Sequence, residues 1–335
     1  MTMVEWLPLI WFGIIGFGVF MYVLLDGFVL GIGMLSRLAA TEEERDIMMN
    51  SVAPIWDGNE TWLVLGGAGL LAAFPPVYSA MLTALYLPLT LMLIALIFRG
   101  VAFEFRFKAR DKRGWNLAFQ AGSVVVTFCQ GVSLGALVHG INVVNNQYAG
   151  GSFEWLSPFA LMTGLALVAG YALLGATWLV IKAEGPLQTR AYGWSRTLLA
   201  AVVVFMALVS LWVPFLDDAY AQRWFGWPNI VWLLPVPVIT LALCAGLYRS
   251  LGRRATFKPF LYSLGLFAVG YAGLAISIWP HILPPHLTIW NAASPPATQG
   301  FLLVGLVALL PFILFYTAYS YWVFRGKVTA STGYH

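Results

Sequence analysis

A helical bundle crossing a membrane nine times is the fold this sequence predicts, and three observations carry it. Nine apolar stretches recur along the 335 residues, near 7–35, 54–75, 78–98, 117–140, 157–181, 197–216, 229–248, 259–280 and 299–324. Each is close to the ~20 residues that cross ~30 Å of hydrocarbon. The composition is 60% hydrophobic and 10% charged, against ~25% charged in ordinary soluble domains. Finally, the 18 Lys and Arg residues sort almost wholly to one side of the ladder.

That sorting sets the orientation. The connections after segments 1, 3, 5 and 7, with the C-terminal tail, hold Arg37, Arg45, Arg99, Arg106, Lys108, Arg110, Lys112, Arg113, Lys182, Arg190, Arg196, Arg249, Arg253, Arg254, Lys258, Arg325 and Lys327, while the opposite connections hold only Arg223. Cytoplasmic loops retain Lys and Arg, so the N-terminus is expected outside and the C-terminus inside. One integral membrane domain over 1–335 then accounts for the chain, with no room for a soluble one. The net charge of +4 is what this sorting leaves, and a nucleic-acid partner has no support. The N-terminus has neither a basic region nor an A-x-A-like site, so segment 1 is expected to be retained as a helix.

Segment 1 is interrupted by Asp26, eleven residues before Arg37, or about 16 Å along a helix axis. A carboxyl at that depth is costly unless it faces protein or water, which makes it a functional candidate. The competing reading is a hydrogen-bonded Asp that fixes packing, and Gly27 and Gly31 beside it would let a neighbouring helix approach closely. Between segments 1 and 2, the acidic run Glu42-Glu43-Glu44-Arg45-Asp46 reads as a solvated loop.

In segment 2 the uninterrupted apolar run from Thr61 to Phe74 is too short to span, so the helix is expected to start near Pro54, a residue tolerated in a first turn. Asp57 and Glu60 are thereby drawn inward and, at i and i+3, share a face, with Trp56 and Asn59 as lining or packing neighbours. The plainer alternative is acids stabilised by the N-terminal dipole of the helix. Segment 3 continues into Arg99-Gly-Val-Ala-Phe-Glu-Phe-Arg106, where Glu104 reads either as a relay or as an interfacial partner of Arg99, Arg106 and Lys108. Asp26, Asp57, Glu60 and Glu104 thus descend through the cytoplasmic half of three consecutive segments, an arrangement suited to proton entry.

Segments 4 to 9 carry less chemistry. His139, His281 and His286 fall at segment ends or in an outer connection and His335 closes the chain, so no pair is placed to ligate haem or copper inside the bundle. Cys129 and Cys244 lie in separate segments without metal-ligand spacing. Phosphate loops, H-E-x-x-H helices and G-x-S-x-G elbows are absent. Trp and Tyr recur at segment ends, as in an aromatic belt.

Several strings also carry a family likeness: Asp26-Gly-Phe-Val-Leu-Gly-Ile-Gly33, Asn50-Ser-Val-Ala-Pro-Ile-Trp-Asp-Gly-Asn-Glu-Thr-Trp-Leu63, Phe74-Pro-Pro-Val-Tyr78, Phe98-Arg-Gly-Val-Ala-Phe-Glu-Phe-Arg106 and Leu287-Thr-Ile-Trp-Asn-Ala-Ala-Ser294. Taken in order they resemble subunit II of the cytochrome bd quinol oxidases, and the short loops suggest the compact, cyanide-insensitive branch. The resemblance implies two four-helix bundles plus a peripheral helix, in the inner membrane of a bacterium. It also implies a haem-free chain paired with subunit I, which would carry two b-type haems, haem d and the quinol-oxidising loop. A small single-helix subunit, bound lipid and a bound quinone are further associations it leaves open. Proton-path positions carried over by the likeness match Asp26, Asp57 and Glu104. Val29 stands where relatives often have a second acid, and Asn291 where they often have Asp after the outer-loop tryptophan. The rival readings are a proton-coupled secondary transporter and a purely structural scaffold of the oxidase.

Overall fold

The computed structural model describes residues 3–329, and His335 lies outside them. Thirteen α-helices follow one another among the described residues: α1 (Met3–Leu35), α2 (Glu42–Asn50), α3 (Trp56–Ala73), α4 (Pro75–Ala84), α5 (Tyr86–Phe105), α6 (Arg113–His139), α7 (Pro158–Lys182), α8 (Gly185–Trp212), α9 (Asp218–Phe225), α10 (Asn229–Leu233), α11 (Pro235–Gly252), α12 (Lys258–Ile278) and α13 (Pro296–Val323). Two small antiparallel hairpins, β1 (Val143–Val144) with β2 (Gln147–Tyr148) and β3 (His281–Leu283) with β4 (Leu287–Thr288), lie at the end away from the basic loops.

Eight stretches are long and apolar enough to cross a membrane, centred on α1, α5, α6, α7, α8, α10 with α11, α12 and α13. Helix α3 is not among them, because its 18 residues open with Asp57, Asn59 and Glu60. Where the sequence suggested a start near Pro54, α3 begins at Trp56. The stretch read as one segment over 78–98 is two helices, α4 and α5, hinged at Leu85. Pro88 explains the hinge: it has no N–H for the carbonyl of Ala84, and its ring crowds that carbonyl. Likewise Pro235 ends the short α10 and opens α11.

The run 42–46 corrects the sequence reading most plainly, since it is the first turn of a helix and not a loop. Thr41 caps α2 by accepting a hydrogen bond from Glu44 N–H (3.2 Å), and the Glu44 carboxylate accepts one from Ala40 N–H (2.7 Å), a reciprocal arrangement that satisfies first-turn donors.

Helix α1 packs against α3, α6, α7 and α13, while α7 continues to α8 and α12, and α11 lies on α12. Helix α1 approaches α7 closely where Gly31 and Gly175 meet backbone to backbone: a Cβ on Gly31 would lie 2.8 Å from Gly175 N and closer still to the Tyr171 carbonyl oxygen. The expected small-residue face of α1 is therefore in use, and only glycine fits there. Near the basic loops, Phe28 stacks on Trp178 (4.3 Å between centroids) with Phe260 edge-on. A second apolar cluster at the other end joins Phe74, Val77 and Ile141 to Leu283 and Ile289 beneath the hairpins.

Helix α13 is only lightly covered by the rest of the chain along its apolar middle. Its two ends are fastened. Trp11 Nε1–H donates to the Gln299 carbonyl (3.1 Å) at one end; at the other, Tyr321 O–H donates to Asn59 Oδ1 (3.0 Å). Beyond α13, Lys182 Nζ donates to the carbonyls of Phe324 and Gly326, Lys327 Nζ donates to Ala183 O (2.8 Å), and Val328 N–H donates to Lys182 O (3.0 Å).

Candidate functional site

The polar centre of the chain forms where α1, α3 and α5 meet. Apolar residues on both sides of Arg99 (Leu96 before it, Ala102 and Phe103 after) continue the helical period, so α5 runs two turns beyond the predicted limit and Arg99 is carried into the interior. This overturns the reading of Arg99 as a loop cation. Its side chain is fully buried, as is that of Asp26. Arg99 Nη1 donates to Asp26 Oδ1 (2.8 Å), and Nη2 donates to Glu60 Oε1. Gly122 on α6 makes the room, since a Cβ there would stand 2.8 Å from Ala95 O and 3.3 Å from Arg99 N.

One guanidinium fork thus binds carboxyls from two other helices. Charge-assisted pairs of this kind are strong in a low dielectric but leave a large cost when one partner is removed. Asp26 Oδ2 and Arg99 Nε are buried without a protein partner, so the cluster still has an acceptor and a donor for a polar guest such as water.

The surrounding residues fix this cluster. Asn59 is buried; its Nδ2 donates to Leu25 O (2.9 Å) and its Oδ1 accepts from Tyr321, tying α3 to α1 and α13 beside Asp26. Trp56 lies flat on Phe103 (4.9 Å between centroids, 9° between planes), and the Arg99 guanidinium carbon stands 5.7 Å from its ring centre. One turn from Asp26 along α1, Gln130 Nε2 donates to the Tyr22 hydroxyl oxygen (2.9 Å), and Tyr171 O–H donates to Gln130 Oε1 (3.1 Å). Sequence reading missed Tyr22, Gln130 and Tyr171, which sit in apolar runs and signal nothing by spacing.

Of the four acids singled out from the sequence, Asp26 and Glu60 converge on Arg99, whereas Asp57 and Glu104 lie exposed on the surface of this chain. Among the described residues neither makes an ion pair. The expected partnership of Glu104 with Arg99 and Arg106 is therefore corrected: Arg99 is taken by Asp26 and Glu60, and Arg106 turns to α2. Arg106 is itself buried, with Nη1 donating to Asp46 Oδ1 (2.5 Å), Nη2 to Glu42 Oε2 (3.0 Å) and Nε to Asn116 Oδ1, while Lys112 Nζ donates to Asp46 Oδ2 (3.0 Å). Burial pushes the Glu42 carboxyl up, but the Asn116 hydrogen bond and the charges of Arg45 and Arg106 outweigh it and hold Glu42 below its ordinary value.

Membrane-length apolar helices around a buried, charge-bearing crossing define an integral membrane protein with an ionisable interior. Residues 7–324 match the family profile of cytochrome bd terminal oxidase subunit II. Subunit 2 of the cytochrome bd-I ubiquinol oxidase of Escherichia coli (strain K12) is 32% identical over 97% of this chain and 96% of the relative. Subunit 2 of the cytochrome bd ubiquinol oxidase of Bacillus subtilis (strain 168) is 30% identical over 96% of each. In fold, the chain is similar to one from the bd oxidase of Geobacillus thermodenitrificans, with a TM-score of 0.74 at 20% identity over 92% of this chain and 95% of that one. The chain belongs to the cytochrome bd terminal oxidase subunit II family, and is thus one subunit of a respiratory oxidoreductase complex.

Haem is the cofactor such a complex implies, and the residues here do not fit it. His139 ends α6, His281 lies on β3 and His286 in the hairpin turn, all at the end away from the Asp26 cluster, so none of the three projects from the middle of a membrane-length helix.

Proposed function

We propose that this chain is the haem-free subunit II of a bd-type quinol:oxygen oxidoreductase in the bacterial inner membrane, where it braces subunit I and admits cytoplasmic protons for the reduction of oxygen to water. The two b-type haems, haem d and the quinol-oxidising loop belong to subunit I in this reading. The chain forms one membrane domain over 1–335. Helix α3 is the ninth crossing, the N-terminus is outside, and the basic loops are cytoplasmic. Helices α1, α3, α5 and α6 form one bundle and α7, α8, α11 and α12 the other, with α13 peripheral; the packing of α1 on α3, α5 on α6, α7 on α8 and α11 on α12 supports that division, and α7 joins the two by packing on α1 and α6. Membrane lipids cover the outward apolar faces, and a small single-helix subunit or a bound quinone would be further occupants of the assembled complex.

The observation that carries the proton reading is the convergence of Asp26 and Glu60 on buried Arg99, with an unpartnered oxygen left on Asp26. Hydrocarbon-embedded charge is retained where it pairs or conducts. Glu104 and Asp57 stand nearer the basic end as collecting groups, Glu60 and Asp26 lie deeper, and Trp56 and Asn59 line the cluster. The same ion pairs favour a second reading, a scaffold in which the acids only hold α1, α3 and α5 together.

Replacing Asp57, which bonds to nothing in the cluster, separates the two. Asp57→Asn in the purified oxidase should lower oxygen turnover while the haem spectrum stays that of the wild type. Wild-type turnover would take Asp57 off the path, and joint loss of haem and assembly would favour the scaffold. A secondary transporter, by contrast, would purify colourless and without a haem-bearing companion.

A further inference from the structure

At the crossing of α1, α3 and α5, two carboxyls, Asp26 and Glu60, share one guanidinium. Glu60 is the outer of the two. Facing it are Arg99 from α5, Asp26 from α1, Asp57 one turn back on its own helix, and the phenol of Tyr22; Tyr321 of α13 approaches through Asn59. If both carboxyls were ionised, Arg99 would offset only one of the two negative charges, in a region where an unpaired carboxylate is strongly disfavoured.

Position decides which carboxyl takes the proton. Glu60 has Asp26 on one side and Asp57 one turn back on the other, so a proton on Glu60 relieves both repulsions at once. Access agrees: the Asp26 side chain is 0% exposed and that of Glu60 is 24% exposed, so Glu60 can exchange a proton with its surroundings while Asp26 is sealed. The Arg99 contact also suits a neutral acid. Nη2 donates to Glu60 Oε1, which as the carbonyl oxygen of an acid still accepts, leaving Oε2 to carry the proton.

We propose that Glu60 holds the exchangeable proton of this cluster as a neutral carboxylic acid, and that Arg99 is the positioning residue that, anchored on Asp26 Oδ1, holds Glu60 by Oε1 and leaves Oε2 free to load and unload. The proposal rests on the reading that acids of this chain deliver protons. A proton from cytoplasmic water binds Glu60 Oε2 and leaves from the same oxygen toward the oxygen-reducing site. Arg99 stays protonated throughout, and nothing is oxidised or reduced on this chain.

The test is infrared spectroscopy of the assembled oxidase at neutral pH in H2O and D2O. The expected result is a carboxylic-acid C=O band that shifts in D2O, disappears in Glu60→Gln, and survives in Asp26→Asn. Arg99→Lys should keep the band but move its frequency and the pH at which it appears; a merely structural arginine would move neither. Should a variant not assemble, wild-type protein with isotopically labelled glutamate or labelled aspartate assigns the band by which label moves it. No carboxylic-acid band, or one that moves with labelled aspartate, overturns the proposal. Loss of the band in Glu60→Gln with undiminished oxygen turnover would leave the assignment of the proton standing and sink the delivery role instead.

Discussion

Substituting Gly31 tests how tightly α1 is set against α7. A Cβ there would lie 2.8 Å from Gly175 N, short of the 3.4 Å at which ordinary contact begins, and closer still to the Tyr171 carbonyl. The atoms in the way are backbone, so no side chain can swing aside, and the helices must part by well over the ~0.6 Å that the Gly175 contact alone requires. Overpacking of this kind costs ~1–3 kcal/mol, and rigid neighbours place Gly31→Ala at the upper end. Alanine also favours a helix by ~1 kcal/mol over glycine, which offsets part of the loss. Gly193 on α8 supplies the control, because nothing lies within 4 Å of its built Cβ, so Gly193→Ala should gain the propensity without the clash. The difference between the two variants isolates the clash at about 2–3 kcal/mol. Thermal unfolding of the purified complex, followed by tryptophan fluorescence, should then show Gly31→Ala melting several degrees below Gly193→Ala. Coincident melting curves would refute the claim that these two backbones touch.

Two further predictions concern the α2 network. Arg106→Met removes a buried guanidinium from Asp46, Glu42 and Asn116; breaking a buried pair costs ~3–5 kcal/mol, and the partial exposure of both acids reduces this to roughly 1–3 kcal/mol. Proteolysis within 36–53 should accelerate, and an unchanged cleavage rate would show that α2 is not held by Arg106. Because the folded Glu42 carboxyl lies below its ordinary value of 4.5, its contribution is fully present above that pH and is lost as pH falls through the lowered folded value. The melting difference between wild type and Glu42→Gln should therefore be a few tenths of a kcal/mol near neutrality and vanish in acid; a difference that grew on acidification would reverse the sign argued here.

The helices were legible because membrane-length apolar runs leave few alternatives, and Asp26 and Glu60 were legible because acids in such runs stand out. Arg99 was not. Taken as a loop residue by its charge, it cut segment 3 short, although Gly100, Val101, Ala102 and Phe103 after it continue an apolar helix. Two acids without a cation, and a cation flanked by apolar residues, were each other's answer. The hinge at Leu85 and the break before Pro235 were carried by prolines that a hydropathy count averages away. Residues such as Gln130 and Tyr171 are polar only through partners on other helices, a relation no single segment displays.

Because α13 is tethered through Gln299 near its start and through Tyr321 and the 324–328 clasp at its finish, it cannot spin about its own long axis. The aromatic rings of Phe301, Phe312, Phe315 and Trp322, all strongly exposed on this chain, are consequently presented at a preset azimuth, like teeth on a locked shaft. Releasing either tether would let that row turn about the helix axis without altering one of its exposed atoms.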